Sequence, residues 1–380
     1  MKVKFAHQLR AIAALSVVIY HYWGIFFSPA VRAIIGVPAS FVPEKPGYAQ
    51  HVMAPGQGGL IYGVFGVGIF FLISGFVIPI SLRNISTGTF LLRRFFRIYP
   101  VYWFCLLISL SMYFICSWYW HTPLSDRTSV KYLLETLPLL HSVTGIASLD
   151  FVCWSLAVEV KFYVIFALIF LVGGRNAHKV LALSIGFLTL CCAAAYLAHR
   201  DSNPESMLSL LTSDMKFINF MFLGCLFYYV LYDELSVAAA LGYGTIIYVL
   251  FLTISASYEG NIGGPLARNY TYALLLFSAC YVLRDRFRDN RVLDFVADIS
   301  FPLYLLHSTV GYVVMSILID HRLPFTLAWV ISLGLVFLVA FGVHRYVEIP
   351  VNAFGKKVSN LTGRSSKPVQ GDTFPLEGSP

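Results

Sequence analysis

The chain has 380 residues, 58% of them hydrophobic and only 12% charged, with a mean hydropathy of +0.73, whereas about a quarter of an ordinary soluble chain is charged. That composition describes an integral membrane protein; it excludes a secreted disulfide scaffold, a disordered chain and a DNA-binding domain, for which the apolar residues are too many and too clustered. The net charge of +8 then reports cytoplasmic loops and anionic lipid headgroups, not a nucleic-acid partner.

Apolar runs of about 20 residues, long enough to cross a hydrocarbon core, occur at 9–28, 61–82, 97–118, 153–173, 178–199, 213–232, 236–257, 268–284, 299–319 and 323–346. They predict an all-α, polytopic helix bundle of about ten transmembrane spans. The first run follows Lys2 and Lys4 but continues through His21 and Trp23 without a small-residue cleavage site, so it reads as a span and not as a signal peptide. With the N-terminus inside, eighteen Lys and Arg fall in inner segments, eight in outer segments and Lys161 within a span. The positive-inside rule therefore puts both termini in the cytoplasm.

Two outer connectors, 29–60 and 119–152, are long, and the second carries Trp118, Trp120, His121 and His141, which suggests a binding surface. The membrane domain is expected over 1–350, with 351–380 as a cytoplasmic tail, disordered from Ser359 onward. No internal repeat of the kind found in many secondary transporters is present. The seven cysteines show no C-x-x-C or Cys/His ligand spacing, so no metal is expected. Cys116 and Cys153, near the outer ends of two spans, read as buried apolar thiols, with an oxidised pair as the alternative.

Ionisable residues inside spans are costly and are functional candidates by default. On the first span, Arg10 and His21 are eleven residues apart, which puts them on one face about 16 Å apart along the axis. With Arg10 at the inner boundary, His21 falls near mid-membrane. On the fourth span Ser155, Glu159 and Tyr163 recur at i, i+4 and i+8, a polar stripe expected to face the interior. Lys161 points about 200° away from Glu159, toward a different helix or a substrate anion; a structural ion pair is an equal alternative. On the ninth span Ser300, Tyr304 and His307 share a face. Two histidines and a carboxylate at one level suit proton transfer, with a histidine as general base. Neither histidine has a second ligand at i+3 or i+4, which argues against a metal. Before the third span, Arg93-Arg94-Phe95-Phe96-Arg97-Ile98-Tyr99-Pro100 forms with Arg10 a cationic patch suited to a phosphate-bearing ligand. Topogenic arginines on lipid headgroups are the plain alternative.

These pieces together resemble the membrane-bound acyltransferase-3 family. The resemblance runs from Leu9 to about Pro350 and rests on five motifs: Leu9-Arg10 with His21; the Gly-Val-x-x-Phe-Phe-x-x-Ser-Gly-Phe run ending at Phe76; Arg93 to Pro100; Trp154-Ser155-Leu156-x-x-Glu159 with Phe162-Tyr163; and Ser300-x-x-x-Tyr304-Leu305-Leu306-His307. Membership would imply transfer of an acyl group, commonly acetyl, from cytoplasmic acyl-coenzyme A to a hydroxyl of a carbohydrate or glycolipid acceptor at the bacterial inner membrane. By resemblance His21 would be the catalytic base, assisted by Glu159 and His307. Arg10, Arg93, Arg94, Arg97 and Tyr99 would hold acyl-CoA, and Trp154, Ser155, Lys161, Tyr163 and Tyr304 would support the site. The partners implied are that acceptor and membrane lipids. Gly68, where many members have an acidic residue, and Val160-Lys161, in place of a frequent Glu-Gln, depart from the pattern and bear on the acceptor pocket. The competing reading is a proton-coupled transporter or flippase of an anionic or acylated solute, with the same residues as a proton relay.

Overall fold

A computed structural model describes residues 3–52, 59–200 and 207–363. Among them the fold is all-helical, without strands. In chain order the helices are α1 (Lys4–Trp23), α2 (Pro29–Ile35), α3 (Tyr62–Leu82), α4 (Thr87–Trp120), α5 (Val130–Thr136), α6 (His141–Thr144), α7 (Cys153–Gly173) and α8 (Ala177–Arg200). They continue with α9 (Met207–Ser213), α10 (Met215–Leu231), α11 (Val237–Glu259), α12 (Pro265–Val282), α13 (Arg291–Asp298), α14 (Ser300–Asp320), α15 (Phe325–Val343) and α16 (Ile349–Gly363). A π-helical turn, His344–Glu348, joins the last two.

Nine helical stretches among the described residues are long and apolar enough to cross a membrane, so the chain is a multi-pass membrane protein. The predicted span at 268–284 corresponds to α12, which is not among the nine because its first turns carry Arg268 and Asn269. Its two ends nevertheless reach the same two levels as its neighbours. Asn269 Oδ1 accepts a hydrogen bond from the Ile61 amide at the head of α3. At the other end, Phe277 and Tyr281 pack edge-on against Phe5 at the start of α1. There Gln8 also donates to the Arg288 carbonyl and the Asp294 carboxylate, tying α1 to α13.

The core sits on α3, which is apolar on every face, as a helix surrounded by others must be. Gly75 on α3 and Gly224 on α10 face one another, and a Cβ on either would run into backbone of the opposite helix. The small residues thus permit the close crossing that dispersion needs where no hydrophobic effect drives helices together. All seven cysteines are free, Cys116 and Cys153 among the buried ones.

The 119–152 connector leaves Trp118 at its head 76% exposed and His121 exposed, but buries other parts of itself. It folds back along α4: Tyr113 donates to the Leu149 carbonyl, Tyr102 to that of Thr136, Trp103 to that of Leu137 and Tyr99 to that of Pro138. His141, expected at a binding surface, is instead 4% exposed with neither ring nitrogen hydrogen-bonded. Burial, with the nearby Lys161 ammonium as a lesser cause, lowers it from 6.5 to about 4. The unfolded chain therefore binds more protons than the folded one between those values. His141 should contribute stability above pH 6.5 that is lost as the pH falls toward 4, by up to about 3 kcal/mol. Thermal unfolding in detergent across that window checks this: His141→Leu should flatten the acid limb, and an unchanged limb would refute the assignment.

The predicted tail boundary at 351 falls inside α16, which continues as helix to Gly363. Ser359 itself is buried and bonded to Arg93, so it belongs to the fold and not to a disordered tail. Residues 364–380 lie outside the described residues.

Candidate active site

Two polar constellations occupy the bundle, one above the other. The first is a cleft between α1, α3, α4, α7 and α14. Three guanidinium groups, Arg10, Arg94 and Arg97, line it against a single carboxylate, Glu159. The stripe Ser155, Glu159, Tyr163 faces this cleft as its spacing predicts. Glu159 accepts hydrogen bonds from Ser74 at 2.6 Å and from Tyr163. Arg94 lies over the rings of Phe90 and Tyr163 and donates to Ser81. The Nε of Arg10 is buried with no partner. A buried donor left unpaired is expensive, and three cations facing one carboxylate leave a surplus of positive charge; both features suit a phosphate-bearing ligand.

The second constellation is a histidine pair. The rings of His21 and His307 stand edge to face, 4.7 Å apart. The Nδ1 of His21 is 2.8 Å from the Tyr312 hydroxyl. The Nδ1 of His307 lies 2.8 Å from the Tyr304 carbonyl and 3.2 Å from that of Leu303. Carbonyls only accept, so this nitrogen carries the proton, and the other, Nε2, is a buried acceptor without a partner. His307 is wholly buried, whereas His21 keeps some exposure. His21 lies two residues from the end of α1 and opposite the middle of α14.

Tyr304 separates the two constellations. Its hydroxyl is 2.6 Å from Ser155 Oγ, its ring packs on Phe70, and its centroid is 5.8 Å from that of His307. Glu159 thus shares the cleft with the arginines, and no hydrogen bond joins it to either histidine among the described residues.

The other candidates fall elsewhere. Tyr99 is stacked on Phe95 and bonded to Pro138, outside the cleft. Trp154 packs on Phe71 and Phe217. Lys161 forms an ion pair with Asp214 at 2.6 Å, turned away from Glu159 as its helical angle requires. Arg93 lines a neighbouring cleft, not the one that holds Glu159. Sequence reasoning missed three groups. Tyr312 holds His21, and Ser74 holds Glu159. Asp150, 2% exposed, takes hydrogen bonds from Ser109, Ser308 and Thr309, anchoring the α14 segment next to His307. Burial pushes its carboxyl above the usual range, against the opposing effect of those hydrogen bonds. The adjacent polar run Ser308-Thr309, in an otherwise apolar span, was the available signal.

The model of the acyltransferase 3 family, described as an acyltransferase domain, matches residues 3–345, nearly the whole described chain. No curated protein and no solved structure matches.

Proposed function

Because the chain belongs to the acyltransferase 3 family of membrane acyltransferases, we propose that it transfers an acyl group, acetyl in the simplest case, from acyl-CoA to a hydroxyl of a carbohydrate or glycolipid acceptor at a bacterial inner membrane. The observation that carries this reading is the stacking of a cationic cleft beneath a histidine pair. The cleft offers charge for a nucleotide's phosphates, and the pair offers proton chemistry beyond it. The two are about as far apart as the span from Arg10 to His21, roughly 16 Å, a reach comparable to that of the donor's pantetheine arm.

His21 acts as the base in this reading. With Nδ1–H donated to the Tyr312 oxygen, its Nε2 holds a free lone pair. His21 takes the proton of the acceptor hydroxyl as that oxygen bonds to the thioester carbonyl carbon. It then returns the proton to the sulfur as the C–S bond breaks, releasing a free thiol and the new ester. Tyr312 and His307 position the imidazole, much as a second group orients the base in other acyl-transfer sites. Tyr304 stands where the arm must pass, and its hydroxyl would have to leave Ser155 to let it through. The arginines bind and orient the donor, and Glu159 neutralises part of their charge while the cleft is empty.

The test is thiol release from acetyl-CoA by the purified protein. Release that rises when a hydroxyl acceptor is added supports transfer. Movement of labelled solute into sealed vesicles without any covalent transfer would favour the transporter reading instead.

A further inference from the structure

We infer that α16, which lies beyond the residues matched by the family model, completes a separate phosphate site through Lys356 and Asn352, and that this site takes the nucleotide end of the acyl donor. The inference rests on the donor reading above and extends it to residues that the family motifs do not contain.

The site is a second cleft, walled by Arg93, Arg94, Arg97 and Ser81 on one side and by Asn352 and Lys356 on the other. No carboxylate lines it. Arg94 and Arg97 also line the first cleft, so one extended ligand can occupy both, with its phosphates shared between two walls. The α16 wall is built into the fold. The π-helical turn His344–Glu348 adds a residue to its turn and so rotates the face that α16 presents. That face lies on α4: Phe354 packs on Phe96 with rings 5.5 Å apart, and Gly355 has no room for a Cβ beside the same ring. Arg93 fixes the contact, donating to Ser359 at 2.8 Å and to Asn360 at 2.7 Å. Arg93 is thereby largely committed to holding the helix, and Lys356 is the exposed cation left facing the cleft.

The geometry assigns the two ends of the donor. The arm that carries the thioester must point through the first cleft toward the histidines. The diphosphate then falls at Arg94 and Arg97, and the 3′-phosphate of the ribose, farther from the thioester, falls at Lys356. Lysine suits this as a flexible point charge, where the arginines act as forks. An anionic lipid headgroup would satisfy the same chemistry, and the experiment separates the two.

Binding of acetyl-CoA and of 3′-dephospho-acetyl-CoA should be titrated against wild type, Lys356→Ala and Arg97→Ala, in detergent and in nanodiscs containing phosphatidylglycerol. Lys356→Ala should weaken acetyl-CoA about five- to tenfold and leave the 3′-dephospho form within about twofold of wild type, because residue and phosphate remove the same contact. Equal weakening of both ligands, or of neither while Arg97→Ala weakens both, would overturn the assignment of Lys356 and leave the donor reading standing. An effect of Lys356→Ala seen only as altered competition by phosphatidylglycerol would overturn it in favour of a headgroup site. If wild type binds neither ligand, the donor reading fails and the inference falls with it.

Discussion

His21→Ala is expected to lower kcat/KM for acyl transfer by about 10²- to 10⁴-fold, the range for loss of a general base, while the protein folds and binds its donor as before. The position explains the separation of effects. His21 is partly exposed and lies outside the cationic cleft, so truncating it removes neither a fully packed core side chain nor a donor contact. The Tyr312 oxygen, which accepts from the His21 Nδ1–H in this reading, loses that one donor and keeps its own O–H. Thermal unfolding and donor titration should therefore match wild type, and only thiol release and ester formation should fall. Tyr312→Phe should act in the same direction but more weakly, by about tenfold, because it frees the tautomer without removing the base. Its kcat–pH profile should shift, which loss of packing alone would not produce. An active His21→Ala protein would end the proposal that this imidazole is the base.

The outline of the fold was readable in the chain because spans of 20 apolar residues and a charge bias are strong, additive signals. What escaped was set by contacts between distant segments. The connector before α7 contains helices of only seven and four residues, too short for periodicity to register, and its course along α4 depends on tyrosine and tryptophan donors reaching its carbonyls. The stripe Ser155, Glu159, Tyr163 was legible because helical spacing fixes a common face. Spacing does not say which face of another helix it meets. Glu159 was expected to serve the histidines by level alone, whereas Ser74 on α3 and the arginines of α1 and α4 surround it. Likewise Arg93, Arg94 and Arg97 read as one patch and do line one cleft together, but only Arg94 and Arg97 also reach the cleft of Glu159, because Arg93 is bonded to Ser359 and Asn360 on α16.

The second large effect is expected at Arg10. Arg10→Ala should lower kcat/KM by about 10²-fold, most of it as a higher KM for the donor, since a charge-assisted contact to phosphate serves ground and transition states alike. Arg10→Lys should recover only part of this, because the ammonium keeps the charge and loses the fork. The argument that Arg10 binds ligand, and does not merely support the fold, comes from its surroundings. Its Nε has no partner, and it shares its cleft with two further guanidinium groups and only one carboxylate. A residue held in that state is not there for the stability of the free protein. Removing it should leave the thermal transition of the unliganded protein unchanged or slightly raised, as expected where function is kept at a cost in stability. Stabilisation by the donor should change instead. At a donor concentration 100 times the wild-type Kd, binding adds about 2.7 kcal/mol, and a 100-fold weaker variant would gain only about 0.4 kcal/mol. Thermal melts of both proteins with and without acetyl-CoA would show the difference directly. A variant whose unliganded transition collapses, or whose donor-induced shift equals that of wild type, would return Arg10 to a structural role.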